Sequence, residues 1–146
     1  MDETTPDLDA DAFAEAIERF NRFYIRLPTT ETLPFTTLSV LDTLAASPHP
    51  LRLSELTRTE QITQPAITQL ITRLERDGLV RRRPDPTDGR AVLVHLTEAG
   101  RRVGRARRRD RLRHLTPLLA ELSTEQRRAL ARALPALTRL AELGRR

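Results

Sequence analysis

The chain has 146 residues, 38% of them hydrophobic and 3% aromatic, and all 25 of its basic side chains are arginine. It has no cysteine, which excludes disulfides, thiolate metal sites and cysteine redox switching, and no run approaches the roughly 18 apolar residues that a membrane helix needs. The net charge of +5 is uneven: residues 1–32 hold eight acids and three arginines, residues 33–100 eight of each, and residues 101–146 fourteen arginines and four acids, a balance compatible with an anionic partner such as nucleic acid.

The start, Met1-Asp2-Glu3-Thr4-Thr5-Pro6, is acidic and lacks the basic-then-apolar order of a signal peptide. The expected location is the cytoplasm, with no membrane contact. His49, His95 and His114 lie far apart, so no metal site and no cofactor is expected.

Residues 7–27 read as an amphipathic helix capped by Asp7 or Asp9. Phe13, Ile17, Phe20, Tyr24 and Leu27 fall on one stripe. An aromatic stripe of this kind must pack on something. A second helix is expected at 36–47, with Leu38, Val40, Leu41 and Leu44 inward, ended by Ser47-Pro48-His49-Pro50. A third covers about 54–59, and a connector leads to Thr63.

Thr63 caps a fourth helix at about 64–77, with Pro65 in its first turn and Gly78 as its stop. Ala66, Ile67, Leu70, Ile71 and Leu74 form the expected buried stripe. The opposite face is Thr63, Gln64, Thr68, Gln69, Thr72, Arg73 and Arg76. Gln can pair with adenine edges, Thr can touch a thymine methyl, and Arg can reach guanine or phosphate. An ordinary solvated helix face is the alternative.

Residues 79–83 and 91–96 read as two strands joined by Pro84-Asp85-Pro86-Thr87-Asp88-Gly89-Arg90, which is dense in turn formers. Arg90 sits at the tip of this hairpin, where a long cation can enter a narrow minor groove. Arg81, Arg82 and Arg83 either contact phosphate or form a solvated edge, with Arg82 on the opposite face to its neighbours.

Thr97 and Glu98 open a long helix to about 122, with eight arginines between 101 and 113 and Pro117 as a possible kink. The arginines either touch phosphates, form a solvated face or pair with the acidic first segment. Ser123 to Gln126 has the form of a capping box. It opens a last helix to about 143, which Pro135 is expected to interrupt. No nucleophile–base pair, phosphate loop or ligand cluster is visible, so catalysis is not expected.

The order of helix, short helix, polar-faced helix and basic hairpin predicts a mainly α fold with a small β-hairpin wing (α+β): a winged helix-turn-helix core. The specific strings are Leu53-Ser54-Glu55-Leu56, Gln64-Pro65-Ala66-Ile67-Thr68, Leu74-Glu75-Arg76-Asp77-Gly78-Leu79-Val80-Arg81-Arg82, Asp88-Gly89-Arg90-Ala91 and Leu96-Thr97-Glu98-Ala99-Gly100. With them the chain resembles the MarR family of bacterial transcriptional regulators over about residues 8–143.

The resemblance implies three parts: an N-terminal dimerisation helix in 1–32, a DNA-binding winged helix-turn-helix in 33–100, and C-terminal helices in 101–146 completing the dimerisation region. It implies a homodimer on double-stranded DNA at a pseudo-palindromic operator. Ser54, Thr63, Gln64, Pro65, Ala66, Thr68, Gln69, Thr72, Arg73, Arg82, Asp88 and Arg90 would then form the DNA-binding set, with Asp88 fixing the wing. Phe13, Ile17, Phe20, Tyr24, Leu118, Leu122, Leu130, Leu134 and Leu137 would join the two chains. Many members repress and release DNA when a small aromatic or anionic effector binds. Phe20, Tyr24 and His114 are candidates for lining such a site, with core packing as the alternative. Arg58-Thr59-Glu60-Gln61 is more charged than usual for the family. A winged-helix module that binds protein instead of specific DNA is the competing reading.

Overall fold

The structure is a computed structural model that describes residues 7–144. Met1 to Pro6, whose acidic pattern is read above, lie outside the described residues. The elements in order are α1 (Ala10–Ile25), α2 (Phe35–Ala46), β1 (Leu51–Arg52), α3 (Leu53–Glu60), α4 (Gln64–Arg76), β2 (Val80–Pro84), β3 (Val92–Leu96), α5 (Glu98–Glu121) and α6 (Thr124–Leu143). No helix among the described residues is long and apolar enough to cross a membrane. Two compact units result: residues 29–110, and the described residues up to Pro28 together with those from Arg111 onward.

The 29–110 unit has one apolar core. Val40, Leu41 and Leu44 of α2, Leu56 of α3, Ile67, Leu70, Ile71 and Leu74 of α4, Val80 of β2 and Val94 of β3 are all buried. The α4 positions step by three, one and three, the spacing that keeps one helix face inward. Burying each Leu or Ile contributes roughly 1.5–3 kcal/mol, so this face fixes which side of α4 can face water. Ala66 is a correction to the expected stripe: it is exposed, because it lies in the first turn, beyond the edge of the core.

The sheet has three antiparallel strands in the order β1-β3-β2. Arg82 faces Val94 and Arg83 faces Leu93, while Leu51 of β1 pairs Val94 from the other side. The two-residue β1 escapes sequence reading because it is too short to show alternation. It makes β3 the central strand.

Caps define the helix ends. The Asp9 carboxylate accepts from the Asp11 amide at 3.0 Å, Thr63 Oγ1 accepts from the Ala66 amide at 3.4 Å, and Ser123 with Gln126 completes a capping box. The α3–α4 turn passes through Gln61 at φ 55°, the left-handed region in which a side chain is strained. The Glu60 carboxylate accepts from the hydroxyls of Ser39, at 2.7 Å, and Thr43 on α2. One of the charges that sets the Arg58–Gln61 segment apart thus braces α3 against α2.

Gly100 sits where α5 passes the turn after α4. A Cβ there would collide with the Leu79 carbonyl oxygen and stand 2.5 Å from Leu96 Cδ1. Thr97 Oγ1 donates to the Gly78 carbonyl at 2.6 Å and accepts from the Gly100 amide at 3.1 Å. Further along α5, buried Arg107 pairs with Asp42 of α2 at 2.8 Å. The Asp110 carboxylate accepts from the Thr30 amide at 2.8 Å and its hydroxyl at 2.7 Å.

In the other unit, neither α1 nor α6 contains a buried residue. Pro117 and Pro135 lie inside continuous helices, so Pro135 does not interrupt α6 as expected. Each proline removes one backbone N–H, and both are exposed, so water can reach the carbonyl left over.

Candidate nucleic-acid interface

The apolar face of α4 is committed to the core, and the residues on its other side reach solvent. Thr63, Gln64, Pro65, Ala66, Gln69, Thr72 and Arg73 are exposed and Thr68 is half-buried. Thr68, Gln69, Thr72 and Arg73 line one shallow open depression. The Thr72 hydroxyl donates to the Thr68 carbonyl at 2.8 Å. The Thr57 hydroxyl lies 3.1 Å from Gln64 Oε1, which ties α3 to the start of α4. Ser54, also expected at the interface, is exposed in the first turn of α3. Gln69 and Arg73 carry no such tether among the described residues, so an amide and a guanidinium are available to a base edge or a phosphate.

The wing is held in two places that sequence reading missed. The first is Glu75, in the last turn of α4. Its carboxylate accepts from the Arg82 backbone amide at 2.7 Å and from Arg82 Nε and Nη2 at 3.1 Å each. The Arg82 amide, followed by the arginine side chain, holds the Glu75 carboxyl below its ordinary range. Arg82 thus braces β2 against α4, while Arg81 and Arg83 are exposed on the other side of the strand. The clue was the string Leu-Glu-x-x-Gly-Leu-Val-x-Arg itself, since the glycine turn folds the glutamate back onto the strand.

The second is Asp85, 6% exposed. One carboxylate oxygen accepts from the Thr87 amide at 2.9 Å and hydroxyl at 2.8 Å. The other accepts from Arg52 Nε at 2.9 Å and Nη2 at 2.7 Å. The Thr87 amide and then its hydroxyl, helped by Arg52, hold this carboxyl below its usual value. The pair joins the wing to β1. The local signal was Asp85-Pro86-Thr87 directly after Pro84, an Asx turn; the Arg52 partner had no local signal.

Asp88 works locally. Its carboxylate accepts from the Arg90 amide at 3.1 Å, and its carbonyl accepts from the Ala91 amide at 2.9 Å. Arg90 is exposed at the tip of a turn closed by these bonds. The result is one compact unit that presents a polar helix face and a cationic finger from a shared core. No group of His, Asp or Glu that could hold a metal ion occurs among the described residues.

The comparisons with known proteins meet this geometry. A MarR family model matches residues 32–91, the core of the winged unit. The HTH-type transcriptional regulator Mb0904 of Mycobacterium bovis is 33% identical over 131 residues, 86% of this chain and 91% of that protein. The HTH-type regulator YdgJ of Bacillus subtilis is 36% identical over 77 residues, 53% of this chain and 47% of its own length, so the chain spans about half of that relative. The fold matches that of Streptococcus pneumoniae FabT, solved in complex with DNA, at a TM-score of 0.62 and 21% identity, over 92% of this chain and 98% of that one. The Mycobacterium bovis and Bacillus subtilis relatives are HTH-type transcriptional regulators, and the chain belongs to the MarR family of DNA-binding winged-helix transcriptional regulators.

Proposed function

We propose that the chain acts as a homodimer that reads a pseudo-palindromic operator sequence-specifically and represses transcription, with release by a small effector. The observation that carries the reading is the exposed Gln69–Arg73 face of α4 beside a wing whose tip, Arg90, is fixed by Asp88. A helix of this kind fits the major groove, and a projecting arginine fits a narrow minor groove. The DNA complex of FabT supports duplex DNA as the partner. Gln64, Gln69 and Arg73 are assigned to bases, and Ser54, Thr63, Thr68 and Thr72 to bases or phosphates. Pro65 and Ala66 are assigned to close apolar contact, and Arg82 acts through its brace to Glu75.

The dimer is supported by unpartnered apolar faces. Phe20 of α1 is 52% exposed and Leu134 of α6 is 61% exposed, with Ile17, Leu118 and Leu130 also open to solvent. Pairing two chains through Phe13, Ile17, Phe20 and Tyr24 with Leu118, Leu122, Leu130, Leu134 and Leu137 would cover them. Patches of this kind on one chain mark association surfaces. The effector reading is supported by the same unit. Phe20 stacks on Tyr24 at 5.8 Å between ring centroids, and the Arg111 guanidinium lies 4.6 Å above the Tyr24 ring. Arg111 Nε is buried without a hydrogen-bond partner. A donor of that kind beside aromatic rings suits an aromatic anion, with His114 one turn further along α5.

Selection of bound fragments from genomic DNA tests the reading, together with the solution mass of the free protein. Recovered sites should carry inverted half-sites about one DNA turn apart, and the mass should be that of two chains. Binding indifferent to sequence and lost at moderate salt would support the protein-interaction module instead.

A further inference from the structure

Side chains along a strand alternate between its two faces. Val80 of β2 and Val94 of β3 point into the core, which they share with Ile67, Ile71 and Leu74 of α4, so that face of the sheet is turned toward α4. Arg81 and Arg83 stand on the opposite face, and both are exposed. The register sets His95 across from Arg81 and Leu93 across from Arg83. Arg52 of β1 comes level with Leu93 from the other side. The three strands contain no acidic residue. The carboxylates of the wing loop are occupied elsewhere, Asp85 by Thr87 and Arg52 and Asp88 by the Arg90 amide. Neither the Arg81 nor the Arg83 guanidinium has a hydrogen bond or ion pair among the described residues. The outer face of the wing is therefore cationic and uncompensated, and it belongs to the same hairpin as Arg90.

We propose that Arg81 and Arg83 bind the phosphate backbone of the DNA that flanks the operator, outside the grooves entered by α4 and Arg90. The inference rests on the operator reading and extends it. With α4 in a major groove and Arg90 in the adjacent minor groove, the face of the wing turned away from α4 looks onto the backbone beyond that minor groove. Half-sites one turn apart share a single minor groove between them, too narrow to admit two fingers side by side. Each wing therefore takes the groove on the outer side of its half-site, and the backbone beyond it is flanking duplex. Arg81 and Arg83 lie about 7 Å apart along β2, and one strand of duplex carries a charge about every 3.4 Å, so each guanidinium can take its own phosphate. Such contacts add affinity without reading sequence. Arg82, between them in the chain, is held on Glu75 and takes no part.

The test uses the full-length protein and a site recovered in the selection above, in two duplex lengths. The short duplex ends at the outer minor groove of each half-site, and the long one runs about ten base pairs, one turn, further on each side. Titration at several salt concentrations should show the long duplex bound at least about tenfold more tightly at about 0.1 M salt, with a log–log salt slope steeper by about 0.9 for each phosphate contact. Arg81→Gln/Arg83→Gln should bind the short duplex like the parent and lose the gain from length, with an unchanged melting temperature. Arg81→Lys/Arg83→Lys should keep the gain, because a backbone phosphate accepts either cation. Arg128→Gln/Arg132→Gln, which removes the same charge from exposed positions on α6, should also keep it. The proposal is overturned by a parent protein that binds both lengths equally, by a glutamine variant of the wing that keeps the gain or loses the short duplex as well, by a lysine variant that loses the gain, or by an α6 variant that loses as much. A parent protein that does not prefer the short duplex to a scrambled one of equal length would instead overturn the operator reading itself.

Discussion

The carboxylate of Glu75 takes three hydrogen bonds from one residue, Arg82, at 2.7, 3.1 and 3.1 Å. One comes from the backbone and two from the side chain. The last turn of α4 and the start of the wing are therefore fixed to each other by a single fork-shaped contact, four residues beyond the Gly78 turn. A DNA-reading face and a groove-seeking finger need a constant separation to bind together, and this contact sets it within the unit.

Glu75→Ala should weaken operator binding several-fold while leaving the sequence preference of the α4 face intact. The reason is that the wing loses its brace and the α4 side chains stay in place. Titration of labelled operator by anisotropy measures it. Unchanged affinity would show that DNA alone can order the wing.

Gln69→Ala and Arg90→Ala should separate two kinds of readout. Gln69→Ala should reduce discrimination at one base position by about 1–3 kcal/mol. Arg90→Ala should lower affinity for all sequences and reduce the slope of log affinity against log salt by about 0.9. Binding measured on a panel of single-base operator variants at several salt concentrations distinguishes them.

Acid should loosen the wing first. The Asp85 and Glu75 carboxyls both titrate below their ordinary range, chiefly through the Thr87 amide and the Arg82 amide respectively. Near pH 4 the unfolded chain therefore holds more protons than the folded one. The stabilisation is complete above the ordinary carboxylate range, about 4, and is lost as pH falls through the lowered values. Melting temperature should fall as pH drops below about 4, where the unfolded chain takes up more protons than the folded one. Asp85→Asn should be less stable at pH 7 and show a shallower fall. A parallel fall in both proteins would count against the Asp85–Arg52 link.

Gly100→Ala should destabilise the 29–110 unit by about 1–3 kcal/mol, the range for overpacking. The added Cβ meets the Leu79 carbonyl oxygen, a backbone atom that cannot rotate away. Urea unfolding measures this, and Gly104→Ala, with nothing within 4 Å of its Cβ, serves as the control.

Much of the site was legible because it is local. The step of Ile67, Leu70, Ile71 and Leu74 fixed the orientation of α4, Thr63 and Ser123 marked two helix starts, and the Pro84–Arg90 turn formers located the wing. These signals depend on neighbours within a few residues, where helix and strand periods act directly. The misreadings had the same root. Ala66 carries the right period but sits past the end of the core, and Pro135 carries a breaker's chemistry on an exposed helix face.

Helical periods, caps and turns, the cationic hairpin tip and the polar composition of the α4 face all follow from the local order of residues. Folding of the whole unit is what brings Arg52 to Asp85 across 33 residues, sets Glu60 against α2, and lets a two-residue β1 make β3 central. The difference is one of range. Propensity and periodicity are properties of a single segment, whereas an ion pair between distant segments exists only once the shared core has brought its carboxylate and guanidinium together.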